Sequence, residues 1–112
     1  MDLKIEEKSN ITIIHLRGKL FGGEFTNELN STLHKLIDEG KKNYVLNLDG
    51  VTILNSSGFG TIVGTYTTIR NGGGQLKLTG LSPSISNLLS ITKLNRIFQQ
   101  YSTIEEAVIS FK

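Results

Sequence analysis

The stretch YVLNLDGVTILNSSGFG, residues 44–60, joins an apolar run to a polar segment that contains glycine. Its first part, Tyr44 to Leu48, is typical of a short strand, which we expect to end at Asp49. From Phe59 to Ile69 the apolar residues recur at helical spacing, which predicts a helix that begins near Gly58. The polar segment Asn55-Ser56-Ser57-Gly58 is therefore predicted to connect a strand to a helix.

The residues before this stretch contain two strand patterns and one helical pattern. Leu3 to Glu6 alternates between apolar and charged residues, and Ile11 to Leu16 is rich in β-branched residues. The polar residues 8–10 between them predict a tight hairpin. Apolar positions from Phe25 to Ile37 then follow helical spacing, which predicts an amphipathic helix that ends near Gly40.

The residues after the stretch repeat the alternation of strand and helix. We predict a strand at 76–78, a short helix at 85–89 entered through Ser82-Pro83, a last strand at 96–98 and a terminal helix at 104–111. Helices between strands require crossover connections, which favour parallel pairing. The expected fold is α/β: a single domain over residues 1–112, with a mixed sheet of about five strands, antiparallel in the N-terminal hairpin and parallel afterwards, and about four helices.

Composition excludes several functional classes. The chain has no cysteine, which excludes disulfides and thiolate chemistry, and it has no Asp or Glu between Asp49 and Glu105. Few carboxylates remain for acid–base pairs or hard-metal ligands, so we expect neither an enzyme nor a cofactor or metal. The net charge is +2 with scattered basic residues, which gives little support for nucleic-acid binding. No apolar run is long enough to span a membrane and no export signal begins the chain, so the cytoplasm is the expected location.

The polar segment 55–58 has two interpretations. Asn55, Ser56 and Ser57 are all favourable N-cap residues, so the segment can simply start a helix. A hydroxyl at this position would also be exposed beside unpaired backbone N–H groups at the positive end of a helix dipole, where a phosphoryl group is stabilised. Residue types alone leave both interpretations open.

Two enzyme-like patterns find little support. Gly58 to Gly64 imitates a dinucleotide fingerprint, but the acidic residue needed about 20 positions later for the ribose is missing. Ser56 and Ser57 do not stand in a Gly-x-Ser-x-Gly elbow, and a triad would need His15 or His34 without other evidence. A small nucleotide-binding or enzymatic domain is therefore the least favoured of three hypotheses.

The order of several short motifs resembles a known family. The segment from Val51 to Gly60 is similar to the signature of the STAS domain of anti-sigma-factor antagonists, in which Asp-Ser-Ser/Thr-Gly-hydrophobic-Gly carries a phosphorylated serine. Further likeness lies in Arg17-Gly18-Lys19-Leu20, in 74–78, in 94–98 and in 103–107. The resemblance implies that Ser56 is phosphorylated and that the protein regulates transcription by binding a partner.

Two positions depart from the family pattern. Asn55 stands where the family usually has Asp before the phosphoserine, and Phe21 replaces the Asp that usually follows Gly-x-Leu. Asn keeps the hydrogen-bonding capacity but removes a charge beside the acceptor. Phe21 with Gly22 and Gly23 predicts a more apolar, more flexible loop at the same end of the sheet.

The resemblance also implies the partners and the surface that binds them. We expect two partners, an anti-sigma factor that is also a serine-protein kinase, and a PP2C-like phosphatase. The protein itself is expected to be a monomer. The alternative is a non-phosphorylated STAS interaction module in a stress-signalling or lipid-transport complex. Gly58 and Gly60 are predicted to let the partner approach the backbone, and the full predicted surface is Phe21, Gly22, Gly23, Asn55, Ser56, Ser57, Gly58, Phe59 and Gly60.

Overall fold

Strands and helices alternate along the computed structural model, which describes residues 1–112. The strands are β1 (Asp2–Lys8), β2 (Ile11–Leu20), β3 (Asn43–Leu54), β4 (Gln75–Thr79) and β5 (Gln99–Tyr101). The helices are α1 (Glu24–Asp38), α2 (Ser56–Asn71), α3 (Pro83–Ile91) and α4 (Ile104–Ser110), and a 3-10 turn covers Leu94–Arg96.

The strands form one sheet in the order of the chain, β1-β2-β3-β4-β5. β1 pairs antiparallel with β2, and the other three pairs are parallel. This arrangement confirms the predicted mixed sheet of five strands with four helices. Because each crossover advances by one strand with the usual right-handed sense, α1, α2 and α3 lie on the same face of the sheet.

Each face of the sheet buries its own apolar cluster. On β2, Ile14 and Leu16 face the three-helix side, whereas Ile11 and Ile13 face α4. This alternation is the expected two-residue period of a strand whose faces are both covered. The larger cluster includes the buried apolar residues of α1, α2 and α3, which are Leu29, Leu33, Leu36, Ile62, Ile69, Ile85 and Leu89. The smaller cluster adds Ala107 and Val108 of α4.

The predicted last strand at 96–98 is wrong. Lys93 takes a left-handed conformation with φ 62°, after which the chain turns through Leu94–Arg96 and forms β5 at Gln99–Tyr101. Phe98, only 3% exposed, packs its ring edge-on against Tyr66 at 4.9 Å between centroids. The short run 96–98 is therefore part of a turn that buries one aromatic ring. Apolar periodicity alone does not distinguish such a turn from a strand.

The prediction that the central strand ends at Asp49 is also wrong. β3 continues to Leu54 because β2 runs on to Leu20 and supplies a partner along the added length. The register shifts between Asn47 and Gly50 and again between Val51 and Ile53, so β3 carries the extra residues of two bulges. The pair β2–β3 therefore projects beyond the last paired residue of β4.

A buried tyrosine makes the fold sensitive to alkaline pH. Tyr44 is 0% exposed and its hydroxyl donates to the Lys41 carbonyl at 3.0 Å. Burial, which disfavours the phenolate, raises the pKa of Tyr44 from its usual 10.0 to about 12. Because the pKa is higher in the folded state, the stability that neutral Tyr44 contributes is fully present below pH 10.0. It is lost as the pH rises through about 12.

We expect Tyr44→Phe to move the alkaline unfolding midpoint of the chain to higher pH, because the substitution removes the group that must ionise. Circular dichroism followed during a pH titration measures the midpoint, and phenolate absorbance shows whether ionisation and unfolding coincide. Tyr101→Phe, at a half-buried position on β5, is the control. Equal midpoints for the Tyr44→Phe protein and the unmodified protein would contradict the expectation.

Candidate functional site

A single residue, Asn55, connects β3 to α2. Its backbone is extended (φ −111°, ψ −175°) and its Oδ1 accepts a hydrogen bond from the Gly58 N–H at 2.8 Å. Its own N–H donates to the Leu20 carbonyl at 3.3 Å. Asn55 is thus the N-cap of α2, and the predicted loop at 55–58 is instead the cap and first turn of a helix.

Ser56 and Ser57 occupy the first turn of α2, and both are exposed. Gly58 and Phe59 direct their N–H groups to Asn55, whereas the N–H groups of Ser56 and Ser57 have no partner in the chain. The first turn contains no acidic residue. Free donors at the positive end of a helix dipole favour an anion, so this turn suits a phosphoryl group on either hydroxyl.

We expect Asn55→Ala to lower the free energy of unfolding by about 0.5–2 kcal/mol, because the Gly58 N–H loses its acceptor. Asn55→Asp keeps a carboxyl oxygen in the same place and is expected to retain the stability. Urea unfolding of the two variants and the unmodified chain provides the comparison. An alanine variant as stable as the aspartate variant would show that the cap contributes nothing.

The two glycines of this turn have different roles. A Cβ on Gly58 would lie 1.8 Å from the Leu20 carbonyl oxygen, so the residue must be glycine for α2 to pack against the end of β2. Gly58 is buried, which corrects its predicted role as a point of partner approach. A Cβ on Gly60 would meet nothing within 4 Å. Internal packing therefore does not require glycine at position 60, and the missing side chain leaves the backbone there open.

A groove with a volume of about 460 Å³ runs between α1 and α2 beside this turn. Thr26 and Thr61 share a hydrogen bond of 2.8 Å between their hydroxyls across it. Its lining has neither charged nor large apolar side chains and consists of Gly22, Gly23, Thr26, Asn27, Asn30, Ser57, Gly60, Thr61, Gly64 and Thr68. A neighbouring protein can approach the backbone closely along such a surface.

The predicted surface residues are only partly brought together. Gly22 lies against Ser57, since its ideal Cβ would be 3.1 Å from the Ser57 Cβ, and Phe21 before it is 48% exposed. Phe59 is half-buried and packs against the core, so its ring is directed mainly inward. Ile53, which the predicted surface does not include, is 52% exposed on β3. The apolar run 51–54 lies beyond the predicted end of the strand at Asp49, whereas β3 includes it.

The two histidines lie outside this turn. His15 on β2 contacts Glu6 Oε1 at 2.9 Å through Nε2 and Asn47 Nδ2 at 3.0 Å through Nδ1. The hydrogen bond from His15 lowers the pKa of Glu6. His34 is exposed on α1. Both histidines therefore have surface or structural settings.

The chain was compared with models of known protein families. The model of the STAS domain family matches residues 2–107. The chain belongs to the STAS domain family. This membership confirms the resemblance inferred from the motifs around Ser56.

Relatives of this STAS domain carry related names. The anti-sigma F factor antagonist of Paenibacillus polymyxa is 26% identical over 106 residues, which cover 90% of this chain and 88% of that protein. The anti-sigma-B factor antagonist of Staphylococcus aureus is 31% identical over 67 residues, covering 60% of this chain and 62% of that protein. These relatives are bacterial regulatory proteins by name.

Solved structures have the same fold as this STAS domain. The Bacillus cell-fate determinant SpoIIAA in its phosphorylated form matches with a TM-score of 0.77 at 19% identity, over 99% of this chain and 100% of that chain. An anti-sigma factor antagonist from Mycobacterium paratuberculosis matches with a TM-score of 0.79 at 18% identity, over 97% and 92%. At these identities the likeness establishes the fold. None of the helices has the length and apolar character required to cross a membrane.

Proposed function

We propose that this chain is an anti-sigma-factor antagonist that binds an anti-sigma factor with serine-kinase activity and is released when Ser56 is phosphorylated. The observation that carries the proposal is the exposed first turn of α2, with unpaired N–H groups at Ser56 and Ser57 and no acidic side chain. The names of the relatives support the choice of partner. In this role the protein is a substrate of the kinase rather than a catalyst.

Ser56 is the better acceptor of the two serines. Ser57 lies against Gly22 and lines the groove between α1 and α2, and its carbonyl accepts a hydrogen bond from the Thr61 hydroxyl at 3.1 Å. Ser56 does not line that groove. A kinase active site can therefore reach Ser56 without displacing the chain before α1.

The switch follows from charge rather than from refolding. Phosphorylation adds about −1.5 to −2 charge and three acceptor oxygens. In the free protein the N–H groups of the first turn and the helix dipole stabilise that charge. In the complex the same charge must lose its water or face acidic groups and nucleotide phosphates of the kinase, which weakens binding. A PP2C-like phosphatase would restore the binding form.

Asn55 supports a second candidate function. It is a neutral cap where the family usually has Asp, so this chain lacks a negative charge beside the proposed acceptor serine. A STAS interaction module that is never phosphorylated, in a stress-signalling or lipid-transport complex, would retain the same fold and the groove between α1 and α2. The two candidates differ in whether the serine is modified in cells.

Intact-mass measurement of the protein purified from its own cells distinguishes the candidates. The proposal predicts a species heavier by one phosphoryl group that disappears after phosphatase treatment, with fragmentation placing the group on Ser56. A phosphoryl group on Ser57 would move the assignment by one residue. Absence of any modified species across growth and stress conditions would favour the non-phosphorylated module.

A further inference from the structure

The part of β3 nearest α2 has an unpaired edge. Pairing with β4 ends at Asn47 and Thr79, whereas pairing with β2 continues to Leu54. Pairing with β4 therefore stops before residue 50, and the Asn55 N–H that follows this segment donates to the Leu20 carbonyl, on the β2 side. We call residues 50–54 the open edge of β3.

The other edges of the sheet are protected against pairing with another chain. β1 is rich in charge, with Asp2, Lys4, Glu6, Glu7 and Lys8 among its seven residues, and β5 is only three residues long. Charge and short length are the usual means by which soluble proteins prevent edge pairing. The open edge has neither means, because Val51-Thr52-Ile53-Leu54 is uncharged and favours strands. Its only irregularities are the two register shifts against β2.

A cleft with a volume of about 560 Å³ begins at this edge. It is lined by Asp49 and Val51 of β3 and by residues after β4 and around the end of β5, which are Gly80, Leu81, Ser82, Ser86, Gln100, Tyr101 and Ser102. An adjoining recess of about 220 Å³ adds Glu105. Neither lining contains Lys, Arg or His, and the two carboxylates form no ion pair. The cleft is therefore acidic in a chain whose net charge is +2.

We propose that the open edge of β3 receives an extended segment of a partner protein that carries a lysine or arginine facing Asp49. Main-chain hydrogen bonds to the edge would hold the segment, and the cleft would select its side chains. The bulges keep the added ladder short, so the contact between Asp49 and the basic side chain supplies much of the selectivity. This contact is separate from the modification of Ser56 and does not depend on it.

Amide NMR spectra of the full chain, titrated with acetylated and amidated peptides, test the proposal. The probe is Thr-Val-Lys-Val-Thr, and the controls replace its lysine with glutamate or methylate its backbone nitrogens. We expect saturable shifts of the 50–54 amides and slower amide exchange with the lysine peptide, weaker shifts with the glutamate peptide and none with the methylated one.

A matched pair of charge variants tests the role of Asp49. Asp49→Asn is expected to weaken binding of the lysine peptide about two- to fivefold, the range of an exposed ion pair. Asp38→Asn, at the end of α1, is expected to leave binding unchanged. Shifts centred away from 50–54, or equal binding of the methylated peptide, would overturn the proposal. Shifts of the 50–54 amides on concentrating the protein alone would assign the edge to a second copy instead.

Discussion

Ser56→Asp is expected to weaken binding of the anti-sigma factor about a hundredfold or more, whereas Ser56→Ala is expected to bind normally and resist phosphorylation. A like-charge contact in an interface costs several kcal/mol, and each factor of ten corresponds to about 1.4 kcal/mol. The carboxylate lies where the first turn of α2 is exposed and unpaired. Calorimetric titration of each variant with the purified kinase measures the difference.

Stability measurements separate this effect from damage to the fold. A carboxylate in the first turn of a helix stabilises it by about 0.3–1 kcal/mol, so the Ser56→Asp protein should unfold at the same or a higher urea concentration. Ser84→Asp makes the same change at an exposed position in the first turn of α3 and should leave binding intact. Normal binding by the Ser56→Asp protein would contradict the proposed switch. Phosphate on the Ser56→Ala protein would identify another acceptor.

Gly58→Ala is expected to destabilise the fold by about 3 kcal/mol or more, at the upper end of the cost of overpacking. The new Cβ would lie 1.8 Å from the Leu20 carbonyl oxygen and 2.7 Å from its carbon, and both are backbone atoms that no side-chain rotation can move. To relieve this contact, α2 must shift away from β2, which would also stretch the bond from the Asn55 N–H to Leu20. Urea unfolding provides the measurement.

Gly60→Ala is the matched control, because a Cβ at that position meets nothing within 4 Å. Replacing an exposed helical glycine with alanine should stabilise the chain by about 0.5–1 kcal/mol. If the partner approaches the backbone at Gly60, the same variant should bind less tightly while being more stable. A Gly58→Ala protein as stable as the Gly60→Ala protein would show that α2 can move at little cost.

Long apolar patterns predicted the elements that they span. The helical spacing in Phe25 to Ile37 and in Phe59 to Ile69 corresponds to α1 and α2, and the first two strands form the expected hairpin. The prediction failed where a residue's partner determines its conformation. Val51 to Leu54 are extended because β2 lies beside them, and Phe98 leaves the strand pattern because the Tyr66 ring receives it.

At the candidate site, too, the local pattern predicted some features and tertiary contacts decided the others. The segment Asn55-Ser56-Ser57-Gly58 and the motifs around it predicted the family, and the family match over residues 2–107 confirms that resemblance. The sequence left three possible N-caps, and the hydrogen bond from Gly58 to Asn55 identifies the one used. The burial of Gly58 against Leu20 and the exposure of Ile53 required coordinates, because both depend on how far β2 and β3 project together.

By itself the sequence determined the α/β alternation, the absence of thiol chemistry and the position of the exposed serines, since these follow from residue type and local spacing. The tertiary structure decided which residue caps α2, which glycine supports packing and which part of β3 remains unpaired. The physical reason is that capping, close packing and strand pairing are contacts between atoms that need not be near in the chain. Ser56 thus stands out from the sequence, and its unpaired backbone donors are visible only in the fold.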